Sequence, residues 1–140
     1  MTTDNPDAHF RQRLATLILT LNIPPQVADN QVLDRVALSF RKLLNFLAQE
    51  DESGQPAFDA QAKSMLLSAI SDNFAVCQES GLFRKDISSQ WLARCFVGML
   101  DQMREEPTDA ALRHQHSIAC AKILCEGIWP AAADSQVYNT

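Results

Sequence analysis

His114, His116 and Cys120 are the nearest this sequence comes to a cluster of metal-binding side chains. His116 and Cys120 are four positions apart and share one face of a helix, whereas His114 and His116 are two apart and point to different sides. Protein zinc sites need three or four ligands. No third and fourth partner accompanies the His116–Cys120 pair, so no metal is expected. Glu50, Asp51 and Glu52 form an acidic run, but they precede Gly54 and Pro56 in a loop pattern. Consecutive carboxylates there are solvated rather than poised for acid–base or cation chemistry. The chain has no glycine-rich phosphate loop, no G-x-S-x-G elbow and no spacing from which a Ser, His and acid triad can be argued. The expectation is a protein that is not an enzyme, with no catalytic residues and no cofactor.

The wider composition fits that view. At 140 residues, 46% hydrophobic and 21% charged, the chain is the size and make-up of one ordinary domain that can bury a core without metal or disulfides. A net charge of -5 argues against a surface that coats nucleic acid. The start, MTTDNPDAHF, lacks the basic and apolar regions of a secretory signal. The apolar run Leu14 to Leu21 is far shorter than the roughly 20 residues that span a bilayer. A soluble, cytoplasmic chain with no membrane contact is expected. Cys77, Cys95, Cys120 and Cys125 show no C-x-x-C spacing and lie inside apolar helical patterns, so they read as small buried hydrophobes.

The elements that would position any site are helical. Phe10, Leu14, Leu17, Ile18 and Leu21 predict a first helix over about 7–21, stopped at Pro24. Val32, Leu33, Val36, Phe40, Leu43, Leu44 and Leu47 predict a second over about 30–49. Ala62, Met65, Leu66, Ala69, Ile70, Phe74 and Cys77 predict a third, begun or capped by Asp59 and ended at Gly81. Asp86 is the expected N-cap of a fourth, whose stripe is Ile87, Trp91, Leu92, Cys95, Phe96, Met99, Leu100 and Met103. After Pro107, a fifth runs over about 110–128 and stops at Gly127 and Pro130. The predicted fold is an all-α, single-domain bundle of about five helices over residues 1–140, with disordered ends at about 1–6 and 131–140.

The stretch ESGLFRKDIS, Glu79 to Ser88, followed by a helix with a large apolar face, resembles the link before the penultimate helix of tetracycline-repressor (TetR) family regulators. The ending AKILCEGIWP, Ala121 to Pro130, resembles that family's final dimerisation helix. AHFRQRLATLIL, Ala8 to Leu19, is similar to the exit from the family's DNA-binding domain. The resemblance covers about residues 60–130 and implies a regulatory domain without its helix-turn-helix, in which the last two helices of two copies form a four-helix bundle. Transcription regulation through a partner regulator, or through a small apolar effector, is what the likeness implies. Arg11, Arg13, Arg35, Arg41 and Lys42 could instead mark a degenerate helix-turn-helix, but LNIPPQVADNQ is a poor tight turn, and direct DNA binding is not expected.

Two residue sets follow. Large, adaptable side chains on corresponding turns of the third and fourth helices, Met65, Phe74, Trp91, Cys95 and Met99, are the expected lining of an apolar ligand pocket. Phe96, Leu100, Met103, Ile118, Lys122 and Ile128 are the expected homodimer interface. The alternative is a small acidic interaction module, such as an anti-activator, inhibitor, immunity protein or chaperone, that captures a partner protein. The location of exposed apolar surface separates the two: the fourth and fifth helices for self-pairing, the first and second for a foreign partner.

Overall fold

Apolar residues three and four apart occupy single helix faces, and those faces close on one connected core. The structure, a computed structural model, describes residues 6–52, 58–105 and 109–128. It contains five α-helices: α1 (Pro6–Ile18), α2 (Val32–Glu52), α3 (Ala60–Glu79), α4 (Ser89–Met103) and α5 (Ala110–Ile128). A 3-10 turn at Asp29–Gln31 leads into α2, and no β-strand occurs among the described residues. The chain is therefore the all-α bundle that its periodicity predicts. The termini expected to be disordered lie outside the described residues, except that Pro6 is already helical. Gly54, Pro56, Pro107 and Pro130 also lie outside them.

Helix α2 packs most extensively against α5, and α3 against α4. Four phenylalanines join these pairs, each exposed by 1% or less: Phe40, Phe74, Phe83 and Phe96. Phe96 of α4 stacks on Phe40 of α2 with ring centroids 4.2 Å apart, and meets the edge of Phe74 of α3 at 6.1 Å. Phe83, in the link before α4, meets Phe74 edge-on at 5.0 Å. Such pairs add about 0.5–1.5 kcal/mol each beyond the area they bury.

Polar side chains fix the connections. Helix α1 ends at Ile18, sooner than its apolar stripe predicts, and the last turn tightens through the Thr20 N–H on the Leu17 carbonyl. The following segment is fastened to α3 by one amide: Asn73 accepts from the Ile23 N–H at 2.8 Å and donates to the Ile23 carbonyl at 3.1 Å. Asp59 caps α3 by accepting from the Ala62 N–H at 2.9 Å. At the far end Gly81 adopts φ +84, a value that favours a residue without a side chain. The Leu82 N–H then reaches the Cys77 carbonyl and the Gly81 N–H the Gln78 carbonyl, closing a Schellman motif. Gln78 holds the rest of the link, donating to the carbonyls of Arg84 at 2.9 Å and Ile87 at 2.7 Å.

The expected Asp86 cap is corrected by this link. Ser88 caps α4, its hydroxyl accepting from the Trp91 N–H at 3.2 Å. Both Asp86 oxygens accept from Arg84 at 2.6 Å, and those hydrogen bonds hold the carboxyl below its usual range. Asp109 performs the capping role at α5, accepting from the Leu112 N–H at 2.8 Å.

Replacing Asn73 with Ala should destabilise the fold by about 1–3 kcal/mol in urea unfolding, because it removes the acceptor of the Ile23 N–H and leaves the Ile23 carbonyl with only the weak Cys77 thiol donor. Asp101 gives a pH test. Burial raises its carboxyl pKa, but hydrogen bonds and charge from Lys63 and Arg104 outweigh burial, and the net direction is downward. A carboxyl more acidic in the folded chain than in the unfolded one stabilises the fold above the ordinary carboxylate range, and that contribution is lost as pH falls through the lowered value. Asp101→Asn should therefore narrow the stability difference between neutral and acidic pH.

Candidate functional site

Helix α4 carries two stripes. Leu92, Ala93, Phe96, Val97 and Leu100 are buried in the core. Trp91, Cys95, Gly98 and Gln102, spaced four, three and four apart, are exposed along another side. Met99 and Met103 border the two. Helix α5 is divided in the same way. Ser117, Cys120, Ala121, Leu124 and Cys125 are buried, while Leu112, His116, Ala119, Ile123 and Glu126 follow intervals of four and three on a more open side.

Trp91 is 61% exposed and Ile123 is 66% exposed, high values for side chains whose transfer from water is favourable. Between them runs an open apolar groove of about 720 Å³, bordered by Ile87, Trp91, Cys95, Met99, Met103 and Ile123. The Arg94 guanidinium lies over the Trp91 ring, 5.3 Å from its centroid. An added Cβ at Gly98 would meet no heavy atom within 4 Å, so nothing in the fold requires a glycine there. The surface is apolar in character.

The two predicted residue sets are redistributed. Of the pocket set, Trp91, Cys95 and Met99 line the groove. Phe74 lies instead in the core against Phe83 and Phe96, and half-buried Met65 packs on that core. Neither borders that groove. Of the interface set, Met103 lines the groove, Lys122 is exposed on α5 and Ile118 is half-buried. Phe96 and Leu100 are buried within this chain's own core. The side chain of Ile128 lies outside the described residues. Gly98, Ala119 and Ile123 were absent from both sets, although their four-and-three spacing was visible in the sequence.

The cysteines also divide. Cys77, Cys120 and Cys125 are buried, and burial pushes their thiols up, Cys77 to about 11 and Cys125 to about 12. Cys95 is exposed, contrary to the expectation for all four, because it belongs to the outward stripe. Among the described residues no three His, Cys, Asp or Glu side chains stand close enough to hold a metal, and no helix is long and apolar enough to cross a membrane. Two of the N-terminal basic residues are engaged: Lys42 reaches Thr20, and Arg13 donates to Glu50 at 2.7 Å. Glu50 is thereby corrected, since it belongs to α2, is nearly buried and is paired rather than solvated in a loop.

Truncation should separate the two stripes. Phe96→Ala is expected to cost about 3–5 kcal/mol in urea unfolding, as a large core side chain does. Trp91→Ala, measured at low protein concentration, should change stability by only about 0.5 kcal/mol. No protein-family model, characterised protein or solved structure matches this chain.

Proposed function

We propose that this chain is a non-enzymatic regulatory protein that acts through protein–protein contacts as a homodimer, with α4 and α5 of two copies forming a four-helix bundle. The observation that carries the reading is the pair of outward stripes, Trp91–Cys95–Gly98–Gln102 and Leu112–His116–Ala119–Ile123–Glu126. Alternating steps of four and three keep residues on the seam between paired helices. Gly98 and Ala119 are small and lie near the middle of each stripe, which favours close approach of another helix. A two-fold pairing needs one self-complementary patch, and a continuous apolar groove flanked by two such helices is suited to it.

The likeness to TetR-family regulators supports the same pair of helices, because their last two helices meet across the dimer axis. It also supports transcription regulation, exercised on a partner regulator or in response to a small apolar effector. Four free cysteines are in keeping with a reducing cytoplasm. Exposed apolar surface at the other end of the chain is less favourable to a foreign partner: among the large hydrophobics of α1 and α2 and their connection, Leu19 is the exposed one.

Light scattering after size exclusion tests the proposal. The wild type should have twice the chain mass, and Trp91→Glu or Ile123→Glu should weaken association by about 2 kcal/mol or more while the helical signal is retained. Leu19→Glu should remain dimeric. Cys95 should react with a thiol reagent faster in the monomeric variants than in the wild type. A wild type that stays monomeric at high micromolar concentration would overturn the dimer.

A further inference from the structure

Two exposed charges, one in the first half of α4 and one just past its end, are left over from the ion pairs around that helix. Arg84 pairs with Asp86, and both Lys63 and Arg104 pair with Asp101. Arg94 lies over the Trp91 ring, 5.3 Å from its centroid, and Glu105 accepts from Gln102 Nε2 at 3.3 Å. Among the described residues neither meets a group of opposite charge. Each charge is thereby held beside one end of the outward stripe Trp91–Cys95–Gly98–Gln102, the guanidinium at Trp91 and the carboxylate at Gln102.

The stripe's steps of four, three and four are symmetric about the point between Phe96 and Val97. A second α4 laid antiparallel across that point, on a two-fold axis perpendicular to the helix, sets Trp91 beside the partner's Gln102 and Cys95 beside the partner's Gly98. The larger side chains then meet at the two ends, and the open space over Gly98 lies at the centre, where the helices approach most closely. Trp91 brings an indole N–H, which can only donate, and Gln102 an amide oxygen that can accept it. In this register the Arg94 guanidinium stands level with the partner's Glu105 carboxylate, and symmetry repeats the contact on the other side of the axis. A parallel pairing along the same stripe sets Arg94 against its own copy, cation against cation. Charge complementarity therefore favours the antiparallel register.

We infer that the two copies of the α4/α5 dimer proposed above pair antiparallel along α4, with an ion pair from Arg94 to the partner's Glu105 formed twice; the inference rests on that dimer. Mixing of charge-reversed full chains tests it. Arg94→Glu and Glu105→Arg each place like charges opposite one another at both contacts, and in sedimentation at low salt each should dimerise about tenfold or more weakly than the wild type. An equimolar mixture of the two should regain dimer at close to wild-type affinity, because between the two different chains both contacts are again opposite in sign. The double variant Arg94→Glu/Glu105→Arg should regain it alone, with the helical signal kept in every variant. Single variants as tight as the wild type, or a mixture and a double variant no tighter than the single variants, would sink this register while the dimer stands. A monomeric wild type sinks the dimer and this pairing with it, so the two failures are told apart by the wild type.

Discussion

The stacking of Phe96 on Phe40 decides how α4 is rotated about its own axis. An α4 anchored through Phe96 must turn Leu92, Ala93, Val97 and Leu100 inward with it, since they share that side of the helix. The same rotation leaves Trp91, Cys95, Gly98 and Gln102 outside. Phe74 meets the same ring from α3 and prevents α4 from rolling in the other direction. One aromatic contact therefore connects the core to the character of the exposed surface.

Helix α5 reaches a similar result with smaller side chains. Ser117, Cys120, Ala121 and Cys125 form much of its buried side, and short side chains let it lie close to α2. The Ser117 hydroxyl is satisfied within the helix, donating to the Arg113 carbonyl at 2.8 Å. Among the described residues no buried side-chain nitrogen or oxygen lacks a partner. Polar groups inside the bundle consequently impose little desolvation penalty, and the apolar faces determine the packing.

The helices were legible because their apolar spacing is strong, and α5 begins and ends where the pattern places it. Boundaries set by hydrogen bonds were less legible. Asp86 and Ser88 are both good caps in isolation, and the choice depends on Arg84 occupying the aspartate. The surface was only half legible. Trp91 and Phe96 both belong to the apolar pattern of α4, and one dimension gives no means of telling which stripe faces the chain's own core. That choice is made by Phe40 and Phe74, far away in sequence. The contact of Arg41 with His114 between α2 and α5 was hidden for the same reason, since the two are 73 positions apart.

The link between α3 and α4 has a consequence for how sequences of this fold could vary. Gly81 fixes the exit from α3, and a single Gln78 amide then grips two carbonyls three residues apart. A longer link could still close, since added loop length costs little entropy. It could not keep both carbonyls within reach of one nitrogen, and α4 would start from a different point on the bundle. Link length is thus under tighter constraint than the identity of Lys85, whose exposed side chain could change freely while the number of residues around it could not.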